Sequence, residues 1–460
     1  MRLTSALAPL GLVLALSAPL AHAAGMTVHA FMADIGRESL REGQLQNFLN
    51  ANRATLMAGA MYPDGGYATG DRELAEHAHW GEWTYDFIDY LRDDLGCDAA
   101  SFAGSTEPAP AAINPNQNRC EKLAAFMMGN AAHGMGDEVW DALFEPQVRA
   151  RGESSAIPLP LPGNPLSDLV NTIEYAMDMC AIVDHLRAAA HPSGELPLSA
   201  DLVAIYAKHG LTFSEQQVQA AAAVTRGATQ AEIAAANNEC PRIRQQMPWA
   251  ARHYYSESGG VVHVGQMIAG MYEYLWRQLT APRTEAARPR VVGVHPLHGE
   301  TAVPFAREDS ALAIKAYFDG YVAPEALEAQ EQFCLFDEQG QKVPGQSGAG
   351  IYRRDYTHTM HFSPAADLKP NTLYTAVVTT SVPDHQGQGL ARTFAWTFTT
   401  APAMSLAAAS LSPQQALRRV SHCALHRREP GKPAFLPAAL SRLHKATAAK
   451  PAARAPLRTH

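Results

Sequence analysis

The spacing of apolar residues changes once along this chain, near residues 280–290, and this change limits the folds that it can adopt. Before it, apolar residues recur every three to four positions, as on amphipathic helices, in segments 31–49, 73–94, 120–144, 166–189, 201–210 and 261–279. After it, apolar and polar residues alternate in short runs, as in strands, in segments 290–297, 311–318, 333–345, 357–365, 373–380 and 394–400. We therefore predict a multidomain protein with an all-α domain over 24–282 and an all-β sandwich over 290–401.

Both ends of the chain differ from these two domains. Arg2, an apolar run and the small-residue pattern Ala21-His22-Ala23 are typical of a signal peptide over 1–23, with a retained N-terminal anchor as the alternative. The apolar run is too short to span a bilayer. Residues 402–460 are rich in Lys, Arg, Ala and Pro and hold a single acid, Glu429. We predict a basic, partly disordered tail there, with contact to anionic envelope polymers as a further possibility.

Composition and cysteines restrict the compartment and the partners. A chain with 47% hydrophobic and 18% charged residues is globular, and its net charge of −8 argues weakly against a nucleic-acid partner. The signal peptide predicts a secreted or periplasmic protein, where cysteines pair. We expect a disulfide between Cys97 and Cys120 and a second one between Cys180 and Cys240. Free buried thiols stay an alternative for Cys334 and Cys423.

Glycine, proline and small polar residues divide the helical part. They predict loops at 64–66, 108–118, 158–165 and 191–194. Between these loops, four segments hold candidate metal ligands, namely His29, Asp64, the pair His77 and His79, and the pair His133 and Asp137.

The spacing of the last pair has a physical meaning. Residues four apart lie on one face of a helix, so His133 and Asp137 can bind one cation. Imidazole nitrogen and carboxylate oxygen are good zinc donors, and an aspartate can bridge two ions. Two nearby ions activate a water and stabilise the oxygens of a displacement at phosphorus. A carboxylate beside that water, such as Asp64, can act as the base.

The residues around these ligands resemble a known family. The phrases AGxxYPDxxY (residues 58–67), ExxHW (76–80) and GxxxHxxxDxxW (129–140) resemble the zinc-dependent phospholipase C family, in particular its branch with glycosylphosphatidylinositol-specific phospholipase D. A histidine shortly after the mature N-terminus that is followed by Ile-Gly, here His29 with Ile35-Gly36, also fits that branch, and the resemblance covers about 24–282. It implies that His29, Asp64, His79, His133 and Asp137 are metal ligands. It further implies that Asp137 bridges two ions, that Asp64 is also the catalytic base, and that His79, which directly precedes Trp80, is preferred to His77.

The chain departs from the family after this point. Asp141 stands where the family has a further histidine, and the later family helix with His and an acid is replaced by Glu174 and Asp178, four apart. We expect Asp141, Glu174 and Asp178 to form an oxygen-rich third site, which suits Ca²⁺, Mg²⁺ or Mn²⁺ as well as Zn²⁺. A salt-bridged helix face is the alternative for Glu174 and Asp178. Asp184, His185 and His263 are weaker candidates.

The β-rich part resembles bacterial Ig-like domains. The resemblance rests on VHPLHGETAVP (294–304), on FxPxxxLxPxTxY (362–374) and on WxFxT (396–400). Its histidines at 295, 298, 358 and 361 are scattered along predicted strands, and we interpret them as surface residues without a chemical role.

The leading functional hypothesis is an exported zinc-dependent phosphodiesterase that hydrolyses phospholipid headgroup linkages through a metal-bound hydroxide, with two or three Zn²⁺ ions. The substrate class rests on the resemblance alone. The expected partners are a phospholipid or another phosphodiester, with peripheral contact to a membrane or cell envelope and no specific nucleic acid. Two alternatives stay open: a single-strand nuclease or nucleotidase with the same type of metal site, and a degenerate, non-catalytic surface-binding protein.

Overall fold

The computed structural model describes residues 26–102, 117–153, 172–185, 196–282, 287–306, 313–323, 332–349 and 357–402. The predicted signal peptide, the tail from 403 and the predicted loops at 158–165 and 191–194 lie outside these residues. Cys423 lies outside them as well.

The described part of 26–282 is helical, as the apolar spacing predicts. The helices are α1 Met26–Ser39, α2 Gln44–Ala51, α3 Arg53–Met61, α4 Asp64–Thr69, α5 Arg72–His79, α6 Gly81–Asp89, α7 Gln117–Val139, α8 Glu145–Ala150, α9 Thr172–Asp184, α10 Ser199–Lys208, α11 Glu215–Gln246, α12 Ala250–His253 and α13 Val261–Thr280. Short π-helical turns, Tyr90–Asp94 and Trp140–Phe144, follow α6 and α7, and a 3₁₀ turn covers Ala99–Phe102.

One expectation about the helical part is wrong, and one long helix is missing from the predicted segments. The predicted loop at Asp64-Gly65-Gly66 is the first turn of α4, and a Cβ on Gly65 would lie 2.5 Å from the carbonyl oxygen of Ala221. The glycine therefore allows close packing of two helices and does not form a turn. The long helix α11 is absent from the predicted segments, because its many alanines and polar residues give no clear apolar stripe.

The close contact between α3 and α7 determines the architecture around the site. A Cβ on Gly59 of α3 would lie 2.0 Å from the oxygen of Phe126, and one on Gly129 of α7 would lie 1.9 Å from the oxygen of Leu56. Without side chains at these two positions, the helix backbones touch. Asp64, just beyond α3, is thereby brought to the face of α7 that carries His133.

The described residues between 287 and 402 form two packed four-stranded sheets. The strands are β1 Val291–His295, β2 Glu300–Val303, β3 Ile314–Val322, β4 Phe333–Phe336, β5 Gly345–Ala349, β6 Thr357–Pro364, β7 Leu373–Val378 and β8 Phe394–Thr400. One sheet has the order β1-β3-β6-β5, and the other has the order β2-β8-β7-β4, with β2 parallel to β8. The predicted sandwich is confirmed, and β2 and β5 are additions to the six predicted strands.

The sandwich packs directly on the helices through β3 and β6. Tyr317 of β3 is fully buried in the helical core, and the Tyr321 hydroxyl lies 3.3 Å from the hydroxyl of Thr84 on α6. His358 of β6 is fully buried at this contact, where its Nδ1 lies 3.0 Å from the carbonyl oxygen of Phe318. The interpretation of His358 as a surface residue is therefore wrong.

Both predicted disulfides are present. Cys97 bonds to Cys120 and holds the start of α7, and Cys180 on α9 bonds to Cys240 on α11. Cys334 is also disulfide-bonded, so the free buried thiol considered for it is wrong. Among the described helices, none is long and apolar enough to cross a membrane.

Candidate metal centre

Five side chains from four helices meet in the interior of the helical part. His133 and Asp137 lie one turn apart on α7, and His29, Asp64 and His79 come from α1, the start of α4 and the end of α5. All five are buried, with at most 9% of each residue exposed. They are the five residues to which the family resemblance assigns metal binding, and we call them the five-donor cluster.

The cluster has two halves that share His133. In the first half, Asp137 Oδ1 lies 3.1 Å from His29 Nε2, and Asp137 Oδ2 lies 3.5 Å from His133 Nε2. In the second half, Asp64 Oδ1 lies 3.5 Å from His79 Nε2 and 3.7 Å from His133 Nε2. Asp137 Oδ2 is also 4.0 Å from His79 Nε2, so the Asp137 carboxylate faces both halves.

Backbone carbonyl groups orient two of the imidazoles. The Nδ1 atom of His133 lies 2.7 Å from the oxygen of Ala60, and that of His79 lies 2.7 Å from the oxygen of Ala75. A carbonyl only accepts, so each Nδ1 carries a proton, and the Nε2 lone pair of the neutral imidazole is left to bind an ion. This arrangement is the usual orientation of metal-binding histidines.

The charges of the cluster are strongly interdependent. Burial lowers the pKa of His133 to about 4, and the charge of the neighbouring His29 acts in the same direction. Burial acts in the same direction on His29 and His79, but the Asp137 and Asp64 carboxylates outweigh it and raise the pKa of both. Burial opposes ionisation of Asp137, yet the imidazoles around it hold its pKa well below the usual value. The cluster therefore favours an anionic Asp137, the protonated forms of His29 and His79, and the neutral form of His133.

The donor set fits divalent zinc. Ligands about 2.0–2.2 Å from a tetrahedral zinc ion lie roughly 3.3–3.6 Å from one another, which is close to the separations within each half. Asp64 Oδ2 and His29 Nδ1 are buried and have no hydrogen-bond partner among the described residues. Three imidazoles and two carboxylates could hold two ions, with Asp137 between them.

A second group of acids lies beyond the C-terminal end of α7, on the π-helical turn, α8 and α9. Asp141, Glu145 and Glu174 have carboxylate oxygens within 4.8 Å of one another. Burial, followed by the charges of Asp141 and Glu145, raises the pKa of Glu174 well above its usual value. Arg149 donates a hydrogen bond to Glu145. This oxygen-rich group matches the expected third site in two of its three members.

The third expected member, Asp178, lies in a different arrangement. Its Oδ1 accepts a hydrogen bond of 2.6 Å from the backbone nitrogen of Val28. Its neighbour is Glu232 of α11, which accepts a hydrogen bond of 2.8 Å from the Thr27 hydroxyl. Burial raises the pKa of Glu232 to about 7. The expectation is corrected in this respect, because Glu145 and not Asp178 accompanies Asp141 and Glu174.

The weaker candidates lie outside the five-donor cluster. Asp184 accepts hydrogen bonds from Arg244 and from the Tyr254 hydroxyl, the latter at 3.3 Å. His263 accepts a hydrogen bond of 2.9 Å from the backbone nitrogen of Gly259, and burial lowers its pKa to about 4. The ring of His185 stacks on Tyr255. His77 pairs with Asp86, away from His79.

Glu145 and Glu232 are two site residues that the sequence motifs do not predict. Glu145 completes a series of polar residues at every fourth position, His133, Asp137, Asp141 and Glu145, which the sequence does contain. On a regular α-helix such a series drifts around the axis. The wider π-helical turn Trp140–Phe144 uses more residues per turn, which offsets the drift. Glu232 lies on the unpredicted helix α11, and no local pattern marks it.

Comparison with known proteins identifies the C-terminal part. Residues 285–400 match the family model of the bacterial Ig-like domain, in agreement with the resemblance of the β-rich segments. No curated protein matches the chain.

Solved structures give only a distant likeness. A crystal structure of the bacterial S-layer protein SbsC aligns with 71% of this chain and 46% of its own at 11% identity, with a TM-score of 0.20. The N-terminal part of SbsC aligns with 69% of this chain and 78% of its own at 12% identity, with a TM-score of 0.19. The chain thus spans about half the length of the longer SbsC structure, and scores this low carry no argument about fold or function.

Proposed function

We propose that the helical part is a metal-dependent phosphodiesterase that acts on phospholipid headgroup linkages. The observation that carries the proposal is the meeting of His29, Asp64, His79, His133 and Asp137 in one buried cluster. These residues are up to 108 positions apart (137 − 29), and the sequence motifs alone single out all five. The lipid substrate class rests on the family resemblance.

The residues of the cluster have distinct roles in this proposal. His133, oriented by Ala60, would bind one ion through Nε2, which faces the carboxylates of both halves, and the two oxygens of Asp137 are placed to serve both halves. Bound divalent ions would supply Lewis acidity, which activates water and neutralises charge on phosphoryl oxygens. Asp64 presents one oxygen to His79 and His133, whereas its other oxygen has no partner among the described residues. That oxygen is suited to accept a proton from the attacking water.

The other parts of the chain agree with an exported enzyme. The disulfides Cys97–Cys120 and Cys180–Cys240 require an oxidising compartment. We propose secretion or export to the periplasm, with the Ig-like domain and the basic tail holding the enzyme near a membrane or envelope surface.

The decisive experiment measures metal content and ester cleavage on the same samples. Elemental analysis of the wild type should give two or three zinc ions per chain, together with release of a chromogenic phosphocholine ester. Asp137→Asn keeps the size of the side chain but weakens its bridging, and His133→Ala removes the shared imidazole. Both variants should lose metal and at least about 100-fold in turnover, the scale expected for loss of an essential metal-site residue. His253→Ala, on the partly exposed His253, is the matched control.

Each outcome has a defined meaning. No bound metal, or turnover that is indifferent to both changes, would refute the catalytic assignment and favour a surface-binding protein. Metal binding without ester cleavage would refute the lipid substrate and direct the assay to single-stranded nucleic acid.

A further inference from the structure

A second group of side chains with metal-ligating atoms close together lies outside the five-donor cluster. His77 on α5, Asp86 on α6 and His209 at the end of α10 have ligand atoms within 4.8 Å of one another. His77 points away from the five-donor cluster, although it is only two residues from His79 on the same helix. We call these three residues the peripheral trio.

The distances within the trio suit tetrahedral coordination. Asp86 Oδ2 lies 3.3 Å from His77 Nε2 and 3.5 Å from His209 Nδ1. Ligands of a tetrahedral zinc ion are separated by roughly 3.3–3.6 Å, given zinc–ligand bonds of about 2.0–2.2 Å. The two imidazole rings are 4.2 Å apart between centroids and tilted by 37°, so they converge on the carboxylate without stacking flat on one another.

The trio is open to solvent on one side and supported on the other. The exposed fraction of the side chain rises from 9% for His77 to 20% for Asp86 and 45% for His209. On the inner side, the His77 ring is held edge-on against Trp83 at 5.5 Å between ring centroids and lies against Tyr206 at 5.8 Å. An ion could therefore enter from solvent and keep a water as its fourth ligand, while His77 stays fixed.

Two helix ends add a favourable field for a cation. His77 lies in the last turn of α5, and His209 is the C-cap residue of α10. The carbonyl groups at a helix C-terminus carry partial negative charge and favour nearby positive charge. Lys208, which directly precedes His209, forms an ion pair with Asp94, in which its Nζ lies 2.7 Å from Oδ2.

We propose that the peripheral trio is a separate zinc site that fastens α5 to α6 and α10. Two imidazoles and one carboxylate suit Zn²⁺, with Cu²⁺ and Ni²⁺ as competitors, and offer too few oxygens for Ca²⁺ or Mg²⁺. Because α5 also carries His79, an ion bound here restrains the helix that supplies one ligand to the five-donor cluster. The proposal does not depend on the phosphodiesterase activity, since it concerns metal binding alone.

The test titrates Zn²⁺ into the chelator-treated full chain against a chromophoric zinc indicator. His209→Ala removes an exposed ligand, and Asp86→Asn keeps the shape of its side chain, so both variants should fold. Each should bind one zinc ion fewer than the wild type, whereas His253→Ala should bind the same number. In a His133→Ala background, which damages the five-donor cluster, added Zn²⁺ should still raise the Tm, and the added His209→Ala change should abolish that rise.

A hydrogen-bonded trio without a metal gives a different result. In that case His209→Ala and Asp86→Asn bind as many zinc ions as the wild type. The Zn²⁺-dependent Tm shift of His133→Ala also survives the loss of His209. Either result overturns the proposal.

Discussion

The Glu138 carboxylate accepts a hydrogen bond of 2.7 Å from the hydroxyl of Thr359, 221 residues away in the Ig-like domain. The same carboxylate accepts bonds from the Thr357 hydroxyl at 2.7 Å and from the His358 backbone nitrogen at 3.0 Å. Glu138 directly follows Asp137 of the five-donor cluster and is buried. Strand β6 is therefore fastened to the turn of α7 that carries the candidate bridging carboxylate, so the Ig-like domain is part of the framework of the site.

Glu138→Ala should destabilise the protein strongly. The change leaves two buried hydroxyl groups and one backbone N–H without their acceptor, and each such loss costs about 1–3 kcal/mol. We expect a fall of roughly 3–5 kcal/mol in the free energy of unfolding, measured by urea denaturation. Glu138→Gln keeps one acceptor oxygen and should cost less, and Glu42→Ala on the surface should cost little. A fall below about 1 kcal/mol for Glu138→Ala would contradict this account of the contact.

Part of the site could be predicted from the sequence because it depends on local spacing. His133 and Asp137 are four apart on a helix, and this spacing alone brings them together. His29, Asp64 and His79 are identified only through the flanking motif residues, since nothing local connects positions so far apart. The two-part fold is predictable because helix and strand periods differ clearly.

The errors arise where tertiary packing overrides local signals. The two glycines after Asp64 suggest a turn, but Gly65 packs against the backbone at Ala221 and the segment is helical. The partners of Glu174 depend on how α9 lies beside the π-helical turn, which no residue pattern encodes. Burial of His358 likewise follows from docking of the sandwich on α7, and alternation along one strand does not reveal it.

Gly129→Ala should disrupt the contact between α3 and α7. The new methyl group would lie 1.9 Å from the Leu56 oxygen, so the two helix backbones must separate. Overpacking of this kind costs about 1–3 kcal/mol or more, and here it should also move Ala60 away from His133 and weaken metal binding. Thermal unfolding and metal analysis would show both effects.

A matched substitution separates this clash from the intrinsic effect of alanine. A Cβ on Gly227, in the middle of α11, meets no atom within 4 Å. Gly227→Ala should therefore stabilise the protein by about 0.5–1 kcal/mol through helix propensity. If both substitutions shift the Tm in the same direction, the α3–α7 contact is not the reason for glycine at 129.

Lys315 should make stability depend on pH in the alkaline range. Its ammonium group donates a hydrogen bond of 3.0 Å to the oxygen of Ala142, and burial lowers its pKa to about 8. Between about pH 8 and 10.5 the unfolded chain then binds more protons than the folded chain, so stability rises with pH. The rise is at most about 3 kcal/mol. In urea denaturation, the Lys315→Met variant should not show this rise in stability with pH. The Lys342→Met variant, changed at an exposed lysine, should still show it. Parallel pH profiles for wild type and Lys315→Met would show that Lys315 is not the cause.

Metal removal should lower stability through His133, because this residue belongs to both halves of the five-donor cluster. A metal that binds only the folded state stabilises it, so treatment with a chelator should lower the Tm of the wild type by several degrees. His133→Ala should start from a lower Tm and respond much less to the chelator. His209→Ala leaves the five-donor cluster intact, so most of the chelator response should remain and should reverse when Zn²⁺ is restored. Equal chelator responses in wild type and His133→Ala would mean that the stabilising metal binds elsewhere, and an unchanged wild-type Tm would mean that the five carboxylate and imidazole groups are held together without an ion.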